Sequence, residues 1–353
     1  MLRTTNTLIS YALKGALLIS MYCLPYAAAQ QPFTRGIYNW VHTTGDMEAA
    51  FDFYRDTFDI ELAPSPFYGD PDAPPQRLRS VEEAGSDALV WDLTNTAGSR
   101  YRSAFLKAAN TQFGLELVEF FDIPRSTRAP NPWDPGASIL VFSVRDLDTI
   151  VARLQARSAP ILTPGGAPID TSTGRAILAR NPDGYLFQIM QTTTEELAAA
   201  SPGEVIETAI HITIADMSAA LEFYGDLLGL EVGQTRRARG ADLRLYGLQE
   251  GALLQTEMIV PGTGARILLS AFTLPESESR DTMGFDWKIQ DVNAPQFQLE
   301  VANLDELLVR TRASGYRFLS VGERPIDRPF GRFVFVKDPD GVLVEYVEPV
   351  SGQ

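Results

Sequence analysis

DMEAAFDFYRDTFDIE at 46–61 and DMSAALEFYGDLLGLE at 216–231 decide the fold. Eight residues coincide at a constant offset of 170: Asp46/Asp216, Met47/Met217, Ala49/Ala219, Ala50/Ala220, Phe53/Phe223, Tyr54/Tyr224, Asp56/Asp226 and Glu61/Glu231. Such self-similarity marks an internal duplication. In each copy the leading Asp suits a helix N-cap or first turn. Apolar residues follow at i, i+3, i+4 and i+7, as Met47, Ala50, Phe51 and Tyr54 and as Met217, Ala220, Leu221 and Tyr224, the stripe of a helix facing a core. The repeated Phe53, Tyr54, Phe223 and Tyr224 read as packing residues on that pattern.

Working outward, a strand is predicted before each helix, at 37–43 and 208–214, and another after it. Two fainter copies start at Asp146, with Leu147, Ile150, Val151 and Leu154, and at Asn303, with Leu304, Leu307, Leu308 and Thr311. SILVFSV and FQLEV precede them as strands. The first unit then offers strand candidates near 87–93, 101–107 and 113–120, and the third near 242–247, 253–260 and 265–272. The second and fourth units end in NPDGYLFQIM and DPDGVLVEYV, where a Pro-Asp-Gly turn feeds a last strand. The expected fold class is α+β, with four βαβββ modules. The expected division is 1–29, a signal peptide; 30–190, an N-terminal two-module domain; 191–207, a linker; and 208–350, a C-terminal two-module domain.

The N-terminal segment carries Arg3 and Lys14 before GALLISMYCLPYAAA at 15–29, which ends with Ala27 and Ala29 at signal-peptidase spacing. Cleavage near Gln30 is expected, with export to the periplasm or the extracellular space. It removes Cys23, the only cysteine, and takes the formal net charge from -15 to -17. No disulfide or thiolate chemistry would remain, and no stable membrane span is expected. The 353-residue chain has 45 acidic against 30 basic residues, which argues against nucleic acid as a partner. There is no glycine-rich phosphate loop and no G-x-S-x-G elbow. Proline-rich stretches at 63–80 and 121–136 and the polar stretch at 274–296 read as rim loops, whose Phe67, Tyr68 and Trp133 are candidates to line a pocket or anchor the loops. Such loops could also support a homo-oligomer contact.

IHITIADMSAALEFYGDLLGLE at 210–231, FVFVKDPDGVLVEYVEP at 333–349 and VHTTGDMEAAFDFYRDTFDIE at 41–61 together resemble the vicinal-oxygen-chelate superfamily, which includes glyoxalase I, extradiol dioxygenases and bleomycin-resistance proteins. The resemblance implies that the four βαβββ modules form two cup-shaped mixed sheets, with two modules per cup, most simply one with two and three with four. It also implies a site where the first and last strands of both modules converge. Mapped residue by residue, it points to a metal set of His211, Gln298 and Glu345, with Leu268 at the fourth position and Glu257 or Gln296 as alternatives. A second pocket would hold His42, Glu116 and Gln188, with Val141 in the place corresponding to Gln298. Glu119 and Glu348 fall on the opposite strand face from Glu116 and Glu345 and read as solvated or paired. Glu345 and Glu116 are the candidate catalytic carboxylates, and a divalent metal (zinc, nickel, manganese or iron) is the candidate cofactor. The implied activity is that of a metal-dependent lyase or isomerase on a small oxygen-bearing molecule. Metal-free binding or sequestration of a small molecule is the alternative, and extradiol dioxygenase activity is disfavoured by the scarcity of histidine.

Overall fold

The computed structural model describes residues 32–65, 77–108, 111–192, 204–276, 278 and 286–350. The signal-peptide segment with Cys23, the Phe67–Tyr68 pair and most of the expected linker lie outside these residues. Among the described residues no helix is long and apolar enough to cross a membrane.

The first module comprises β1 (Thr34–Thr43), α1 (Met47–Phe58), β2 (Glu61–Leu62), α2 (Ala88–Thr94), β3 (Arg100–Lys107) and β4 (Gly114–Phe121). The second has β5 (Ser138–Val144), α3 (Leu147–Ala156), β6 (Ile169–Thr171), β7 (Gly174–Arg180) and β8 (Leu186–Gln191). The third has β9 (Val205–Thr213), α4 (Met217–Leu221) running into a π-helical stretch at Glu222–Leu227, β10 (Glu231–Ala238), α5 (Ala241–Leu245), β11 (Ala252–Ile259) and β12 (Arg266–Thr273). The fourth has β13 (Pro295–Val301), α6 (Leu304–Ala313), β14 (Ile326–Arg328), β15 (Gly331–Lys337) and β16 (Leu343–Pro349).

The duplicated stretches behave as their periodicity requires. Asp46 accepts from the backbone N–H of Ala49, and Asp216 from Ser218 and Ala219, so each closes the exposed donors of a first helical turn. Asp146 does the same for α3. The fourth copy departs from the pattern: Asn303 is left-handed, with φ 56°, and makes no side-chain cap. Glu348 of β16 supplies the oxygen instead, accepting from Leu304 N at 2.9 Å.

Two strand expectations are corrected. Residues 88–94 and 241–245 are helical. Asp87 caps the first through Leu89 N, and Asn95 at φ 55° ends it. Gly240, at φ 60°, turns the chain into the second. These short helices lie against the strands of a different module, α2 on β14 and β15 and α5 on β6 and β7.

The strand order is β14-β15-β16-β13-β1-β4-β3-β2 in the first sheet and β10-β11-β12-β9-β5-β8-β7-β6 in the second. The expected pairing of modules one with two and three with four is therefore wrong. Modules one and four share the first sheet, and modules two and three share the second. The joints are antiparallel: Trp40 opposes Phe297 between β1 and β13, and Leu140 opposes Ile210 between β5 and β9. All four first strands alternate in the same way, so their patterning is compatible with either pairing. Modules adjacent in the chain are joined through helix packing, α1 on α3 and α6 on the π-helical stretch.

One face of each sheet contributes to a continuous apolar core that holds Trp40, Phe53, Tyr54, Phe187, Ile210, Phe223, Phe297 and Tyr346. Phe53, Tyr54 and Phe58 of α1 all make ring contacts with Phe187 of β8. The repeated Phe–Tyr pairs are thus core residues. Each Tyr hydroxyl is bonded inside the core, Tyr54 to His42 Nδ1 at 3.1 Å and Tyr224 to Asp338 at 2.8 Å. The opposite face of each sheet carries a cavity.

Because each sheet takes four strands from either half of the chain, residues 32–192 or 204–350 alone leave two four-stranded half-sheets with open edges. Expressed separately, these halves should aggregate or remain poorly folded, whereas co-expression should restore a 1:1 complex with the circular dichroism of the intact chain. Two independently folded monomeric halves would contradict the observed pairing.

Candidate functional site

The cavity of the first sheet has a volume of about 220 Å³. Strand alternation decides what faces it. Val41 on β1 pairs with Glu116 on β4, and Gln298 on β13 pairs with Glu345 on β16. These four positions lie in the middle of the sheet, and all four side chains line the cavity. Gln296, expected to share strand parity with Gln298, lines it too and donates to Thr43 Oγ1 at 2.7 Å. The walls are largely apolar, with Phe105, Phe120, Phe333 and Phe335 among them, and α2 contributes Val90 and Leu93.

A hydrogen-bond relay orders the floor. Asn39 Nδ2 donates to Gln298 Oε1 at 2.8 Å, and Gln298 Nε2 donates to Glu116 Oε2 at 2.9 Å. Gly114 makes room for the first link, since a Cβ there would lie 2.7 Å from Asn39 Oδ1 and 3.0 Å from the Leu106 carbonyl oxygen. Glu116, Gln298 and Glu345 are all buried. Burial pushes the Glu116 carboxyl up to about 7 against the opposing hydrogen bonds of Gln298 and Ser103. Burial and the neighbouring Glu116 charge push Glu345 up to about 8, again against a hydrogen bond from Gln298. The result is a pair of carboxyls that both change protonation near neutrality.

The expected set of His211, Gln298 and Glu345 does not assemble. Gln298 and Glu345 meet in the first sheet, whereas His211 is on β9 of the second, opposite Leu268. The expected set of His42, Glu116 and Gln188 is divided as well. Glu116 lines the first cavity and Gln188 the second. His42 is one residue out of phase with Val41 and faces the core, where its Nε2 lies 3.3 Å from the Asp183 carboxylate. Burial lowers the His42 pKa against the pull of Asp183. The crossed module pairing thus brings Glu116 from the second set together with Gln298 and Glu345 from the first. Both candidate catalytic carboxylates line the same cavity.

Glu119 is on the opposite face from Glu116 and is buried rather than solvated, bonded to the buried Arg102, which also reaches Glu48 at 2.6 Å. Glu348 pairs with Arg332 as it caps α6. Glu257 is held by Arg266 and does not approach the first cavity.

The cavity of the second sheet is larger, about 560 Å³, and its lining includes Val141, Gln188, Ala209 and Leu268. His211 is fully buried, and neither ring nitrogen has a hydrogen-bond partner among the described residues. Burial and nearby Arg236 push its pKa down to about 3, so the ring is neutral. Tyr246 packs edge-on against it and donates to Gln188 Oε1 at 3.0 Å. Val41 and Asn39 were not singled out from the sequence. The repeat contained the signal for Val41, because the same 170-residue offset that aligns the helices aligns it with His211.

The family model for the Glyoxalase/Bleomycin resistance protein/Dioxygenase superfamily matches residues 39–189 and 207–346. No curated protein sequence matches the chain. Among solved structures, glyoxalase I from Zea mays is similar over 89% of this chain and 92% of its own, with a TM-score of 0.55 and 17% identity. A point mutant of that maize enzyme gives a TM-score of 0.56 at 16% identity over 89% and 94% of the two chains. A candidate dioxygenase from Bacillus subtilis subsp. subtilis str. 168 gives 0.52 at 12% identity over 91% and 87%. At these identities the likeness is one of fold.

A carboxyl whose pKa is raised by folding contributes stability that is full below its unfolded value and is lost as the pH rises through its folded value. For Glu345 that window runs from about 4.5 to about 8. Glu345→Gln keeps the shape and removes the charge. In chelator-treated protein, its melting temperature should therefore gain on that of the wild type as the pH is raised from 5 to 9. The buried histidines are common to both proteins and cancel in the difference. A pH-independent gap in thermal denaturation would show that Glu345 is not perturbed.

Proposed function

From the chain's membership of the Glyoxalase/Bleomycin resistance protein/Dioxygenase superfamily, we propose that the first-sheet cavity is an active site for proton transfer on a small oxygen-bearing molecule, in an isomerase or lyase reaction. The observation that carries this reading is the buried pair Glu116 and Glu345, joined through Gln298, with protonation midpoints of about 7 and about 8. Near neutral pH the pair can supply one carboxylate and one carboxylic acid. Glu116 is assigned as the base that takes a proton from a carbon next to an oxygen-bearing carbon. Glu345 is assigned as the acid that delivers a proton to the neighbouring oxygen or carbon. The apolar walls limit water around the pair and strengthen its electrostatics.

The donor set also suits a divalent cation. Two buried carboxylates and an amide oxygen are oxygen ligands, and positive charge between them would offset the burial that raises both pKa values. Glu116 and Glu345 would hold it, and Gln298 would join them once its amide turns to bring Oε1 round from Asn39 to the carboxylates. Val41 would contribute no ligand, so positions would remain open. A bound cation would supply Lewis-acid stabilisation of charge on substrate oxygen. Among the described residues no group of three or more His, Cys, Asp or Glu side chains is placed to hold a metal, so this set depends on its amide. Asn39 holds Gln298 Oε1, and that contact supports a second reading, metal-free binding of the same class of molecule.

The test is exchange of carbon-bound hydrogen in D2O, followed by NMR, for small 2-hydroxy and 2-oxo compounds, with chelator-treated protein and with protein supplied with zinc, nickel, manganese or iron. The expected rate profile is bell-shaped, with its maximum between about pH 7 and 8. Glu116→Gln and Glu345→Gln should each lower the rate about 100-fold or more. Absence of exchange with every metal and every compound would remove the catalytic reading. Saturable binding without exchange would favour the metal-free alternative.

Export is part of the same proposal. It rests on Arg3, Lys14 and the apolar run at 15–29 that ends in Ala27 and Ala29. Expression of the full chain in a Gram-negative host should release a periplasmic protein whose mass places its N-terminus near Gln30. A full-length cytoplasmic product would contradict export.

A further inference from the structure

The second cavity differs in chemistry from the first. Val41, Glu116, Gln298 and Glu345 at the middle of the first sheet correspond to His211, Leu268, Val141 and Gln188 in the second, so this cavity has no carboxylate at its floor. Val141, Ala209 and Leu268 make the floor apolar, and Tyr246 holds His211 beneath that surface.

Two donors from opposite halves of the second sheet line the space above. One is Arg236 on β10. Its Nε donates to Gln255 Oε1 at 2.9 Å and its Nη1 to Ser172 Oγ at 2.8 Å, and Gln255 is fixed in turn by donating to Ser270 Oγ at 2.9 Å. The nearest acid is Asp242, 3.7 Å from Nη1. This network sets the plane of the guanidinium and leaves Nη2 with no bonded partner among the described residues. The other donor is Gln188 on β8. Its Oε1 is occupied by the Tyr246 hydroxyl, which leaves its Nε2 for the cavity. The acids that line the cavity, Glu207 and Glu257, are engaged by Arg266 at 2.6 Å and 3.4 Å. Beside the cavity runs RRARGADLR at 236–244. There Arg237, Arg239 and Arg244 are exposed and form no ion pair among the described residues, a local cationic stretch on a chain of net charge -15.

We propose that the second cavity is a metal-independent binding site for a small organic carboxylate. Arg236 and Gln188 grip the carboxylate, and the apolar floor of Val141, Ala209 and Leu268 receives the body of the molecule. An oriented guanidinium and an amide N–H suit the two oxygens of a carboxylate. The floor selects against small, fully hydrated anions, because they would gain nothing from displacing water there.

Isothermal titration of the full chain, treated with chelator, against benzoate, hexanoate, inorganic phosphate and benzamide tests this. One-site saturable binding is expected for benzoate and hexanoate, weakening as salt is raised, with no binding of benzamide or phosphate. Arg236→Gln should weaken benzoate binding at least ten-fold and Arg236→Lys should restore part of it. Leu268→Trp, which fills the floor without touching the donors, should abolish it while circular dichroism stays unchanged. Glu116→Gln and Glu345→Gln should leave it intact, which separates this site from the proposed proton-transfer centre. Absence of saturation with both carboxylates, equal binding of benzamide, or loss of binding in Glu345→Gln but not in Arg236→Gln would each overturn the proposal.

Discussion

The antiparallel contact between β1 and β13 is the constraint on which the rest of the first sheet depends. It places a strand from the start of the chain against one from its last quarter, with Trp40 opposite Phe297 and Asn39 opposite Gln298. β4 adds in parallel to one side and β16 to the other, and each brings its glutamate to the middle of the sheet. Without that pairing, Glu116 and Glu345 would stand in separate sheets and Glu345 would not feel the charge of Glu116. The cost of burying both is met in part by the Asn39–Gln298–Glu116 relay, since a desolvated carboxyl is tolerable only where donors face it or a proton neutralises it.

Much of this arrangement was legible in the sequence, and what was not has a physical reason. The helix caps at Asp46, Asp146 and Asp216 and the core role of the Phe–Tyr pairs follow from the helical period, while the cavity-facing positions of Glu116, Gln298 and Glu345 follow from the resemblance to the vicinal-oxygen-chelate superfamily, mapped module by module. These are local properties. The partner of each first strand is a non-local choice, made by side-chain fit between four strands with the same alternation. That choice moved His211 away from Gln298 and Glu345. The α2 and α5 segments misled for another reason: short apolar runs suit a strand or a helix, and Asp87 and Gly240 at their starts settle the matter through cap and turn geometry.

The two cavities show how one framework supports different chemistry. At equivalent positions the first sheet has two carboxyls and an amide, and the second has a histidine, an amide and two aliphatic side chains. In the first, charge is concentrated at the floor and apolar groups form the walls. In the second, the floor is apolar and charge is on the walls. The fold itself sets only where side chains converge.

Each cavity is walled by strands from both halves of the chain, and those halves are also held together through α1 with α3 and α6 with its π-helical neighbour. A rigid displacement of one half against the other must therefore alter both cavities in the same movement. The two cups are in this sense one dovetail cut twice, and neither can be completed without the same two halves of the chain.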